Sequence, residues 1–97
     1  MKLAVIYRPR NAPPPEAMPM MFQALEQWLK TYGERFETLH LFAGGGGMGV
    51  GDFDDSAEVQ RMTAEHPFTV FADVEVKPAV EWETALRNLQ EAMAQRE

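Results

Sequence analysis

The chain has 97 residues, room for one compact domain spanning 1–97 and little else. At 45% hydrophobic and 25% charged it has the composition of an ordinary folded domain, with no apolar run near the ~20 residues a membrane span needs. Fifteen acidic against nine basic residues give a formal charge of −6, the wrong sign for gripping a nucleic-acid backbone. The absence of cysteine excludes disulfides and thiolate chemistry and fits a reducing cytoplasm, and no signal-peptide pattern follows Met1 and Lys2.

Lys2 to Tyr7 is short, β-branched and uncharged after its first residue, which predicts a buried first strand closed by Pro9. Pro13 to Pro15 forbid both ladder and helix, so an extended, stiff connector follows. Met18, Met21 or Phe22, Leu25, Leu29 and Tyr32 recur at three- and four-residue steps, the stripe of an amphipathic helix. Gly33 is expected to end that helix in a left-handed conformation. Phe36 to Phe42 alternates as a second strand, Gly44 to Gly47 make a turn, and Met48 to Phe53 return as a third strand. Asp55 with Glu58 has the spacing of a capping box, opening a helix that Pro67 stops. Thr69 to Val76 alternates strictly, with Val70, Ala72, Val74 and Val76 on one face and Phe71, Asp73 and Glu75 on the other. Trp82, Leu86, Leu89 and Met93 then mark a C-terminal helix whose stripe, Trp82 included, is expected to be core.

This order, β-α-β-β-α-β with an appended helix, is the α+β ferredoxin-like arrangement: a four-stranded antiparallel sheet with its helices on one face. Alternation then places Leu39 and Leu41 under the helices and sends Thr38, His40 and Phe42 to the open face. Phe42 and Phe71 on an uncovered sheet would be a sticky patch, most simply covered by a second copy in a two-fold homodimer.

The stretch from Gly44 through Asp52-Phe53-Asp54-Asp55-Ser56, then His66-Pro67-Phe68 and Asp73 to Pro78, resembles the dimeric α/β-barrel superfamily. Its small uncharacterised members are the nearest likeness; muconolactone isomerase, YCII-like and antibiotic-biosynthesis monooxygenase groups are more distant. The likeness covers Gly44 to Ala85, and its motifs are structural rather than catalytic. It implies two sheets packed face to face and a ligand held in the sheet–helix cleft or within the barrel. It also implies cofactor-free isomerase, cyclase or monooxygenase chemistry on small cyclic or aromatic compounds; the alternative is a non-catalytic ligand-binding or dimerising accessory module.

Among individual residues, His40 is the leading candidate for proton transfer, provided strand pairing brings it near Asp73 or Glu75. The competing reading is a histidine hydrogen-bonded across a dimer interface, with Asp73 and Glu75 paired to Arg8, Lys2 or Lys77. Arg8 shares the open face and could clamp a ligand carboxylate or form a rim ion pair. Gly49 and Gly51 strip one sheet face of side chains, leaving room for a ligand or for close approach of a neighbour. Phe42 and Phe71 would contact an apolar ligand. Trp28 flanks its helix stripe, where it could line a pocket mouth or pack on the partner. His66 in the last turn of its helix reads first as a cap favouring the helix dipole, with a ligand-binding role as the alternative. Met18, Met20 and Met21 beside the prolines would suit a lid. The glycine run lacks the Lys-Ser/Thr of a phosphate loop, and the two histidines have no metal-ligand spacing. No metal, cofactor, nucleic acid or membrane enters this reading.

Overall fold

The computed structural model of the protein describes residues 1–96. Its chain order is β1 (Lys2–Pro9), α1 (Met18–Tyr32), β2 (Phe36–Leu41), β3 (Gly47–Asp52), α2 (Ser56–Glu65), β4 (Ala72–Pro78) and α3 (Trp82–Gln95). The four strands form one antiparallel sheet in the order β4-β1-β3-β2, the ferredoxin-like topology. Hydrophobic alternation sets its faces. Leu3, Val5 and Tyr7 of β1 align with Gly51, Gly49 and Gly47 of β3 and with Pro78, Val76 and Val74 of β4. On that side Leu3 and Val5 join Trp28, Tyr32, Phe53 and Met62 in the core, so α1 and α2 both cover it.

α2 starts as the capping spacing requires: Asp55 accepts from the Glu58 N–H at 2.8 Å, and Glu58 reaches back to the Asp54 N–H at 3.1 Å. Its far end cannot close with a left-handed cap, because Pro67 holds the preceding residue, His66, extended (φ −67°, ψ 126°). Side chains from elsewhere take over the last carbonyls. Trp28 Nε1 donates to Met62 O at 2.9 Å and Thr69 Oγ1 donates to Thr63 O at 2.6 Å.

Several boundaries differ from the sequence expectation, for local reasons. β1 continues past Tyr7 to Pro9, whose missing N–H costs nothing at the strand's last position. Thr69–Phe71 form a 3-10 turn instead of strand, since Phe71 O is used by the N–H groups of Arg10 and Asn11 (2.9 and 3.2 Å). Phe71 therefore does not lie on the open sheet face, and Val70 is left exposed. Gly33 is right-handed (φ −56°), because α1 tightens directly into a 3-10 turn, Gly33–Arg35, that leads into β2. Trp82 is 70% exposed rather than core. Its helix projects from the body, stretching the molecule to 59 Å and its radius of gyration to 16.4 Å, where roughly 13 Å is usual for this length.

The β2–β3 turn depends on glycine at one position above all. Gly46 has φ +83°, and a Cβ there would collide with the Tyr7 carbonyl oxygen while meeting Pro9 Cδ at 2.8 Å. Gly46→Ala is therefore expected to cost about 1–3 kcal/mol, read from the urea midpoint. An unchanged midpoint would show that the turn relaxes freely.

Candidate functional site

Between the helix-side face of the sheet and α1 lies a cleft of about 710 Å³. It exists because α1 packs onto the sheet at its C-terminal end, where Trp28 and Tyr32 are buried, while Met20 and Phe22 nearer its start remain exposed. Val5 and Tyr7 of β1 with Gly47 and Gly49 of β3 make the floor, and Met18, Phe22, Leu25 and Trp28 of α1 make the roof. Leu39, His40, Leu41 and Phe42 form one rim, and His66, Phe68 and Phe71 close the far end. The walls are almost wholly apolar, and no carboxylate lines the cleft among the described residues.

Of the polar side chains in the lining (Tyr7, Arg10, Asn11, His40 and His66), two are joined to each other by ring stacking. Tyr7 projects into the cleft by the alternation that buries Val5, and its hydroxyl is buried without a hydrogen-bond partner. Burial raises its pKa above the ordinary phenol value; the Thr69 hydroxyl acts in the opposite direction, but donates its own proton to Thr63 O. His66 stacks on Tyr7 with ring centroids 4.2 Å apart and planes 28° from parallel, and meets the edge of Trp28 at 4.7 Å. Its Nδ1 accepts the Phe68 N–H at 3.1 Å, and burial lowers its pKa to about 4. The imidazole is therefore neutral at pH 7, with its proton on Nε2. The reading of His66 as a cap favouring the helix dipole is thus corrected, since the neutral ring turns inward where Pro67 redirects the chain.

The proposed trio of His40, Asp73 and Glu75 is not assembled within the chain. His40, Met48, Ile6 and Glu75 share one row across the sheet, but β2 and β4 are its opposite edges. Three strand spacings, about 14 Å, separate His40 from Glu75. Asp73 pairs with Arg10 Nε at 3.1 Å, while Glu75 pairs with Arg8 at 2.5 Å and Lys77 at 2.9 Å. These neighbours, Arg8 first, hold the Glu75 carboxyl below its ordinary pKa. Arg8 is therefore an ion-pair partner on the open face, away from the cleft.

The remaining candidates divide between cleft and core. Phe42 and Phe71 line the cleft instead of the open face, since β2 stops at Leu41 and β4 starts at Ala72. Trp28, expected at a pocket mouth, is 5% exposed and belongs to both cleft wall and core. Gly49 lies in the floor, and a Cβ there would meet Phe36 and Leu39 side chains at 2.7 and 2.9 Å. At Gly51 it would meet Arg35 O at 2.7 Å. Both glycines thus admit close neighbours of the chain itself.

Sequence reasoning passed over Tyr7. The signal was available, since the parity that sends Arg8 to the open face sends Tyr7 inward. For His66 the only signal was its place before Pro67, which fixes the backbone but not the ring.

The fold is similar to that of 5-chloro-2-hydroxyhydroquinone dehydrochlorinase (TftG) from Burkholderia phenoliruptrix AC1100, solved in complex with 2,5-dihydroxybenzoquinone. The two superpose with a TM-score of 0.61 over 84% of this chain and 95% of that one, at 18% sequence identity. At that identity the likeness establishes the fold. A comparison with curated proteins found no match. A family model does match, over residues 1–93: the chain belongs to the family described as Domain of unknown function (DUF3303).

Proposed function

We propose that this protein is a homodimeric binder of a small cyclic or aromatic compound, held in the cleft between sheet and α1. One observation carries the reading: a buried Tyr7 hydroxyl without a partner, in an otherwise apolar cavity of about 710 Å³. Cavities of this size and polarity typify small-molecule sites, and a buried hydroxyl is normally paired. The quinone bound by TftG is an oxygen-bearing ring of the class such a cleft would admit. In this reading the 97 residues are a single domain working in the cytoplasm, and no cofactor is required. No helix among the described residues is long and apolar enough to cross a membrane, and none of their acidic, histidine or cysteine side chains cluster as a metal site.

Catalysis as a cofactor-free isomerase, cyclase or monooxygenase has less support than binding. No carboxylate of the described residues lines the walls, the His66 pKa is held at about 4, and His40, which lines the cleft from β2, has no carboxylate beside it there to orient it. A non-catalytic ligand-binding module is the reading we prefer.

The dimer rests on two uncovered surfaces. Ala4, Ile6, Met48 and Val50 form a half-buried apolar centre on the open sheet face, between charged edge residues. Trp82, Leu86, Leu89 and Met93 make an exposed stripe on α3. A 14-residue helix is marginal in water unless such a stripe is packed. Packing of two open faces into an α/β barrel, with each α3 laid on the partner, would bury both.

Binding is tested by fluorescence in a Trp82→Phe background, where Trp28 reports on the cleft alone. Hydroquinones, quinones and lactones are titrated in turn, and saturable quenching by at least one is expected. No response at millimolar concentration would sink the binding reading. Sedimentation should give a dimer for the parent chain and a monomer for Val50→Lys. A monomeric parent at tens-of-micromolar concentration would remove the dimer.

A further inference from the structure

The polar inventory of the cleft is one-sided. Trp28 Nε1 is spent on Met62 O, the Thr69 hydroxyl on Thr63 O, and Arg10 on Asp73 at the mouth. Two donors remain. Tyr7 keeps its proton because burial disfavours the phenolate, and its hydroxyl has no partner. The Phe68 N–H occupies His66 Nδ1, which leaves the Nε2–H as the free side of a neutral ring. Stacking at 4.2 Å places both donors within the breadth of one ring system. No side-chain anion lies in the walls to receive a cationic ligand.

We propose that Tyr7 Oη–H and His66 Nε2–H form a paired-donor subsite for carbonyl-type oxygens. The ligand is then a cyclic ketone, quinone or lactone, selected by its oxygen and not merely by its apolar ring. This inference rests on the cleft being the ligand site. The physical asymmetry is simple. A cleft without donors prefers a hydrocarbon to the matching ketone, because the carbonyl loses its water without replacement. Two waiting donors reverse that order, and they also leave a hydrocarbon with two unsatisfied neighbours. A protonated amine gains nothing, since an ammonium offers neither donor an acceptor.

The test compares α-tetralone with tetralin, ring systems of the same shape that differ in one carbonyl. The full chain should bind α-tetralone about tenfold more tightly than tetralin, the worth of one or two net hydrogen bonds. Tyr7→Phe, which keeps the ring and its stacking, should cut α-tetralone affinity several-fold and leave tetralin unchanged; His66→Phe should do the same. The carbonyl stretch of bound α-tetralone should fall to lower wavenumber in the parent chain and rise back in Tyr7→Phe. The parent-chain spectrum decides the matter even where a variant folds poorly. Tighter binding of tetralin than of α-tetralone, or a carbonyl stretch unmoved from its value in hydrocarbon solvent, overturns the donor pair while leaving the cleft as a binding site. Failure of both compounds to bind removes the cleft reading itself, and this inference with it.

Discussion

Trp28→Ala is expected to lower stability by about 3–5 kcal/mol, the largest loss of any single substitution around the cleft. Trp28 is 5% exposed and touches every part of the core that matters to the site. Its ring lies 5.7 Å from Tyr32, 5.8 Å from Phe36 and 4.7 Å from His66. Truncation leaves a void continuous with the cleft, so surrounding atoms cannot close over it without collapsing the cleft. It also removes the donor to Met62 O, one of the α2 terminal carbonyls that Pro67 prevents the backbone from capping. Trp28→Phe separates the two effects. It keeps much of the aromatic volume and loses the hydrogen bond, so about 1–3 kcal/mol is expected. Urea unfolding of both variants checks the pair. Equal losses would mean that the hydrogen bond dominates; a loss below 1 kcal/mol for Trp28→Ala would contradict the buried position of the ring.

His66 should dominate the upper part of the acid limb of stability. Its folded pKa, about 4, lies below the ordinary 6.5 because burial penalises the charged ring. The unfolded chain takes up this proton first. Stability is therefore full above pH 6.5, declines as pH falls from 6.5 towards 4, and declines no further from this group below that. The shift allows about 3 kcal/mol at most; partial exposure of the ring brings the expected loss nearer 2 kcal/mol. The carboxyls of Asp52, Glu75 and Glu81 are held low by their ion pairs, so their stabilisation is lost only below their ordinary values of 3.8 and 4.5. The slope between pH 6.5 and 5 thus reports on His66. His66→Phe should flatten it while leaving the steeper fall at lower pH. A parent chain equally stable at pH 7 and pH 5 would show that the ring is solvated.

Much of the fold was legible because it rests on periodicity. Strand alternation set the inward parity of Leu3, Val5 and Tyr7, and the order of elements matched a ferredoxin-like sheet. Leu39 and Leu41, expected under the helices, are instead 44% and 85% exposed, because β2 is an edge strand. The Asp55–Glu58 cap was legible for the same local reason. Phe71 was misplaced because alternation continues through Thr69 to Val76, whereas the hydrogen bonds of Phe71 O belong to Arg10 and Asn11, sixty residues away in sequence. Trp82 was misplaced because a helical stripe says that something must cover it, not that its own chain does.

The candidate site shows the same division more sharply. Sequence reasoning chose His40 with Asp73 and Glu75 because all three share a sheet face, which alternation does determine. It could not determine how far across that face they lie. Strand order is decided by which hydrophobic faces and edges pack together, and β3 and β1 stand between them. Tyr7 and His66 come from a strand and a helix end 59 positions apart, joined only by the stacking of their rings in the tertiary fold.

The sequence by itself determined element types, sheet parity, the acidic charge and the exclusion of thiolate chemistry, since each depends on neighbours within a few residues or on composition. Only the tertiary structure decided where the cleft lies and which polar groups face it. Those properties depend on the stand-off of α1 from the sheet and on a proline-directed turn of one imidazole, and neither has a local signature.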